Sequence, residues 1–205
     1  MHKLMGTVAG LLAVMVLALN VGAQGAVQGK GKAGGGPIVQ GKVSMIDAEK
    51  KSFAVEGKAG KKNVITNDKT EFYRETEGKM ADVKEGTVVR VLGRVADDAA
   101  SIEAYALVIQ AAGAQPGKAP GKGGGNNMTG TVATIGENMT IKTRDDKSIS
   151  VKTTPQTRVA MAVKAAFTDL KDGVTAAVVG PAEGDNVTAT RVTIQLNLGK
   201  GKGKA

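Results

Sequence analysis

Asp82-Val83-Lys84-Glu85-Gly86 returns later in the chain as Asp169-Leu170-Lys171-Asp172-Gly173, and this recurrence decides how the sequence is read. Each copy holds the parts of a short helical turn set between strands. The first carboxylate can accept backbone N–H bonds of the turn, and the glycine ends it in the left-handed region at little cost. Working outward, Gly41-Lys42-Val43 matches Gly130-Thr131-Val132, Gly93 matches Gly180, and Ile109-Gln110 matches Ile194-Gln195. Gly93 and Gly180 each suit a bulge or sharp bend in the strand that leaves the turn. The chain is thus one pattern written twice, from Gly41 to Gln110 and from Gly130 to Gln195.

Within both copies apolar residues alternate with the two-residue period of strands. The first copy predicts strands over Ile38–Ile46, Ser52–Glu56, Asn63–Thr66, Thr87–Gly93 and Ser101–Gln110. The second predicts Met128–Ile135, Met139–Thr143, Ser148–Thr153, Val174–Gly180 and Val187–Leu196. Tyr73 to Lys79, YRETEGK, reads as a charged extension peculiar to the first copy. A turn of helix between the third and fourth of about five strands is the layout of an OB-like barrel. The expected fold is all-β, with two tandem small OB-like β-barrels over 37–110 and 128–196. Segments 24–36, 111–127 and 197–205 are rich in Gly and Lys. They hold too little apolar surface to offset chain entropy and are expected to be flexible.

The G-x-V opening, the central D-[VL]-K-x-G and the later V-x-G, repeated in tandem behind a leader, resemble a bacterial family of exported modules catalogued as a domain of unknown function. The resemblance covers both copies and none of the Gly/Lys segments. It implies small β-barrels and export, and it brings no catalytic residue.

The leader itself has three parts of a secretory signal. Lys3 is a positive start, Met5 to Leu19 an apolar run, and Val21-Gly22-Ala23 an A-x-A-like site for cleavage after Ala23. Gln24-Gly25-Ala26 offers a second site, after Ala26. The run is short against the roughly 20 residues a bilayer span needs. Residues 1–23 are therefore read as a signal peptide and the destination as periplasmic or secreted. No later stretch approaches about 18 apolar residues, so no transmembrane segment is expected after cleavage. The chain has no Cys, so neither a lipidated cysteine nor a disulfide is available.

Composition also excludes chemistry. The single His is His2, in the leader. Ser-His and Cys-His nucleophile pairs are then impossible, and the usual transition-metal ligands are missing. No catalytic residue, metal site or cofactor is predicted, and the protein is read as non-enzymatic. Asp97-Asp98, Asp145-Asp146 and Asp185 could offer oxygens to calcium, but none has EF-hand spacing. Turn-forming Asp explains them. OB-like barrels that bind single-stranded nucleic acid need basic grooves with aromatic platforms. Here the aromatics are Phe53, Phe72, Tyr73, Tyr105 and Phe167. Phe53 and Tyr105 are expected to face a core, and Phe72-Tyr73 beside Arg74 is the exposed-looking cluster. Nucleic acid is not the expected partner.

The formal net charge of +9 is unevenly placed. Residues 38–110 carry 12 basic and 12 acidic side chains, and residues 128–196 carry 8 and 7. The Gly/Lys segments hold Lys30, Lys32, Lys118, Lys122, Lys200, Lys202 and Lys204 with no acid. Alternating Gly-Lys spaces ammonium groups roughly 7 Å apart when extended, near the charge spacing of polyanions. Each Lys near an anionic surface contributes about 1 kcal/mol, and several arms together add avidity. The expected function is binding or scaffolding at the cell envelope, with Lys arms on anionic polysaccharide or membrane surface. In the alternative, the barrels recognise a small ligand or an envelope protein and the arms are spacers.

Overall fold

A computed structural model describes residues 38–58, 60–97, 99–120 and 127–198. The leader, the segment 24–36 and Lys30, Lys32, Lys122, Lys200, Lys202 and Lys204 lie outside the described residues.

The described chain is all-β. The first copy supplies β1 (Ile38–Asp47), β2 (Ser52–Gly57), β3 (Gly60–Ile65), β4 (Glu71–Gly78), β5 (Val88–Val95) and β6 (Ser101–Ile109). The second supplies β7 (Asn127–Thr134), β8 (Met139–Lys142), β9 (Ser148–Lys152) and β10 (Arg158–Lys164). It continues with β11 (Thr175–Val179), β12 (Ala182–Glu183), β13 (Asn186–Thr188) and β14 (Arg191–Gln195). A single 3-10 turn precedes β5 (Met80–Asp82) and another precedes β11 (Phe167–Asp169). All of these strands belong to one hydrogen-bonded sheet.

The order of pairing departs from the tandem layout that the repeat suggests. β5 and β6, from the first copy, pair with β7, β8 and β9, from the second, and β6–β9 closes these five strands into a ring. The remaining strands combine in the opposite sense. β1, β2 and β3 of the first copy lie between β11 and β13 of the second. Between β13 and β14 this seam stays bonded, because Ala189 donates to the Ile65 carbonyl. Each copy is therefore divided, and its halves pair with the opposite halves of the other copy. The segments 37–110 and 128–196 describe the repeat in the sequence, but the strand pairing runs across them.

The buried side chains follow the same exchange. One core joins Val89, Val91, Ile102 and Leu107 to Val132, Ile141, Ile149 and Val151. The other joins Val43, Phe53, Val55 and Val64 to Ala176, Val178, Val187 and Val192. Phe167 meets Phe53 and Phe72 edge-on, with ring centroids 6.3 and 5.9 Å apart, so this aromatic cluster also crosses the copies. Fully buried side chains such as Ile102, Leu107 and Ile141 contribute roughly 2 kcal/mol each. Neither copy can obtain that burial from its own strands in this arrangement.

The recurrent pentapeptide explains how the exchange is pinned. Gly86 and Gly173 take φ of +79° and +83°, the left-handed conformation expected of them. The Gly86 N–H donates to Val132 and the Val132 N–H returns a bond to Thr87, both at 2.8 Å. Gly173 and Val43 do the same in the opposite sense, with Val43 donating to Val174. The apolar residue of each pentapeptide is buried: Val83 plugs the first core and Leu170 the second. The aspartate stands at the end of the 3-10 turn and not at its start. Asp82 accepts the Lys79 N–H and Asp169 the Ala166 N–H, each at 2.8 Å, which satisfies a donor left over at the helix start.

β4 and β10 were not among the predicted strands, and they are the strands that carry each copy from one core to the other. They lie antiparallel at the centre, flanked by parallel neighbours β14 and β6. The offset that takes Asp82 to Asp169 takes Glu75 to Ala162, and these two residues face each other in the pair. An approximate two-fold axis passes between them. YRETEGK is consequently no surface extension. Glu71, Glu75 and Glu77 share one face of β4, and cations from other strands meet them: Lys164 and Arg191 at Glu71, Arg90 at Glu75, Arg158 at Glu77.

The segment 111–127 is also corrected in part. Gly117 donates to Thr129 and accepts from Arg144, both at 2.8 Å, and the Ala119 N–H reaches the Asp145 carboxylate. Its first half is tied to the second copy and is not a loose tether; residues 121–126 lie outside the described residues.

Because the halves interlock, a protease site inserted within residues 121–126 is expected to yield two fragments that remain together. After cleavage they should co-elute as one folded species on size exclusion and part only in denaturant. Two separately eluting folded fragments would mean that each copy closes on itself.

Candidate functional site

Beyond β14 the chain runs across the central strands. Leu198 is buried against Ala106, Val108 and Ala160, with Leu92, Tyr105 and Leu196 around it. Beside this segment opens a groove of about 350 Å³. Gln40, Thr175 and Gln195 reach it from one exchanged set of strands. Arg90, Leu92, Tyr105 and Asn127 reach it from the other.

Arg90 is set by a buried carboxylate. The Glu75 side chain is 2% exposed and accepts a 2.6 Å bond from Arg90 Nη2, while its other oxygen accepts the Leu196 N–H at 3.1 Å. Burial pushes the Glu75 carboxyl above its usual range, against the opposing pull of Arg90 and the Leu196 N–H. The Arg90 Nε is buried and has no hydrogen-bond partner among the described residues. A buried donor of this kind costs about 1–3 kcal/mol while it goes unanswered.

Tyr105 reaches the groove through a bulge. Leu92 faces Ala106 while Gly93 faces Ala104, which leaves Tyr105 as the extra residue of β6. The bulge reverses the inside–outside phase of the strand. Ile102 and Ala104 point into the ring core, whereas Ala106 and Val108 join the outer cluster. Gly93 permits the close approach, since a Cβ there would overlap the Glu103 carbonyl. The bend expected at this glycine is present; that it would aim a tyrosine was not legible from the alternation.

The other singled-out residues have local roles. Of Phe72, Tyr73 and Arg74, only Arg74 is exposed. Tyr73 is 4% exposed, with Lys164 Nζ at 4.6 Å and the Arg191 guanidinium at 5.2 Å from its ring centre. Phe53 faces a core, and Tyr105 is half-buried in the outer cluster. Asp145 accepts the Thr143 hydroxyl at 2.7 Å and the Ala119 N–H at 2.9 Å, which together hold its carboxyl below the usual range. Asp185 is held down likewise by Lys62 at 2.6 Å. Asp146 turns at φ +57°, Asp97 sits in a turn, and Asp98 lies outside the described residues. Among the described residues no group of three His, Asp or Glu could hold a metal ion. Lys118 alone of the singled-out lysines is described, and it is exposed. Its neighbours Gly117 and Ala119 fix it on the surface.

A second, wider cleft of about 560 Å³ lies beside Lys79, Met80, Thr154 and Pro155. Two of its charged lining residues, Glu77 and Arg158, pair with each other. No protein-family profile matches the chain, and no curated protein or solved structure matches it either.

The Glu75–Arg90 pair makes a prediction with a definite sign. Arg90→Met leaves a buried carboxylate uncompensated and is expected to cost about 3 kcal/mol. Glu75→Gln keeps an acceptor for Leu196 and removes a titration. A carboxyl raised in the fold adds stability below its unfolded value and loses it as pH rises through the folded value. Denaturant midpoints measured from pH 4 upward (by about one-unit steps) should therefore fall more in the natural chain than in Glu75→Gln. Parallel profiles would remove Glu75 from the pH dependence.

Proposed function

We propose that the chain is an exported, non-enzymatic binding or scaffold protein of the cell envelope. In this reading the leader directs it to the periplasm or beyond, and each exchanged set of strands forms a small OB-like barrel. The cationic Gly/Lys segments then associate with anionic polysaccharide or membrane surface. The family resemblance of the G-x-V, D-[VL]-K-x-G and V-x-G elements fits that destination.

The observation that carries the reading is the separation of charge. Within the folded body acids nearly equal bases in number, and Arg90, Arg191, Lys164, Lys62 and Lys51 each have a carboxylate within 3.2 Å. Lys30, Lys32, Lys118, Lys122, Lys200, Lys202 and Lys204 stand in segments with no acid at all. Their charge is thus available to a surface, at about 1 kcal/mol for each one brought close. No helix among the described residues is long and apolar enough to cross a membrane.

Replacing those lysines by glutamine tests the proposal without disturbing either core. The natural chain should sediment with anionic liposomes or bind an acidic polysaccharide at low salt. It should release them as the Debye length falls to about 3 Å near 1 M salt. The substituted chain should fail to bind at either salt. Equal binding by both chains would reject the role of the arms.

A further inference from the structure

We infer that the groove beside Arg90 is a saccharide site, taking a neutral, hydroxyl-rich ligand of mono- or disaccharide size. The groove walls come from both exchanged sets of strands, the kind of junction where ligand sites tend to form. Its volume of about 350 Å³ lies in the small-molecule range.

The groove offers no net charge to attract an ion, because Glu75 already answers the Arg90 guanidinium at 2.6 Å. What it offers is the Asn127 carboxamide, those of Gln40 and Gln195, which share one 2.6 Å bond and keep further donors and acceptors, and hydroxyls from Tyr105 and Thr175. Carboxamides and hydroxyls both donate and accept, as do the hydroxyls of a sugar. The Tyr105 ring gives an amphipathic surface for the C–H face of a pyranose. The Arg90 guanidinium, held by Glu75, is part of the same lining. A peptide strand fits less well, because β1, β5, β7, β11 and β14 already have a partner on each side.

The second copy supplies an internal control. Under the approximate two-fold, Glu75, Arg90, Tyr105 and Asn127 correspond to Ala162, Ala177, Thr190 and Ile38. The same backbone closes with a small or apolar residue at three of those places and a threonine at the fourth. The barrel framework therefore does not require the charged pair, the tyrosine or the carboxamide. They are additions confined to one side of the axis, and they converge on one groove.

The test is a titration of the full chain with cellobiose, maltose and N,N′-diacetylchitobiose, followed by proton–nitrogen NMR. At least one sugar should shift the Arg90 Nε–H and the Asn127 side-chain amide saturably, with Kd near ~1 mM. Asn127→Ala and Tyr105→Leu should each weaken it about tenfold, the loss of one good contact. Thr190→Ala, at the matching place across the axis, should leave it unchanged. The chain with its Gly/Lys-segment lysines replaced should respond as the natural one does, so failure of the arms and failure of the groove are separable. No saturable shift with any of the three sugars at about 50 mM, well above that Kd, would overturn the inference. So would a shift indifferent to Asn127 and Tyr105.

Discussion

The antiparallel contact of β4 with β10 is the constraint from which the rest of the structure follows. Each of these strands receives the chain from one core and passes it to the other. Once they lie side by side about a two-fold, the first half of each copy has the second half of the other copy as its neighbour. The reciprocal bonds Gly86–Val132 and Gly173–Val43 then lock both junctions with the same motif. A repeat of about 70 residues has a core near the lower limit of self-sufficiency. Interlocking lets two such repeats share their burial, which matters in a chain with no disulfide.

Much of this was legible in the sequence. Alternation located nine of the strands to within a few residues but reads β13 and β14 as one strand, Val187–Leu196, and the positive φ of Gly86 and Gly173 followed from the pentapeptide. What alternation cannot encode is which copy a strand pairs with, since equivalent strands of a repeat present nearly the same apolar face. β4 was hidden for a different reason. Glu71, Arg74, Glu75 and Glu77 make it look solvated, yet Tyr73 and Glu75 are buried, Glu75 against Arg90. β10, with Val159, Ala160 and Ala162, is apolar enough for a strand, but no residue in it matches the charged β4, so the repeat gave no cue. The groove was illegible because its residues come from strands far apart in the chain and because Tyr105 owes its direction to a bulge.

A buried ion pair at the symmetry axis is a costly choice. Removing Glu75 and Arg90 from water is offset only where geometry and extra hydrogen bonds are good. Here the pair has a 2.6 Å contact and a backbone donor from Leu196. The opposite side of the axis manages with Ala162 and Ala177. Stability alone gives no reason for the pair to exist on one side only, since small apolar side chains serve the same strands elsewhere. The pair does tie down Leu196 and fixes Arg90 in the lining of the groove.

Under the proposed reading the two kinds of polar group in this chain have different tasks. Arg90, Arg191, Lys164, Lys62 and Lys51 of the folded body are each paired with a carboxylate, so their charge is offset at short range. Exposed pairs among them add little stability, but they leave the body nearly neutral. A neutral body with a polar groove suits a ligand read by hydrogen bonds, whereas lysines spaced along glycine suit a target read by charge density. A glycan carrying anionic groups between neutral sugar units would present both features along one chain. Local recognition in the groove and distributed attraction along the arms would then act on the same polymer.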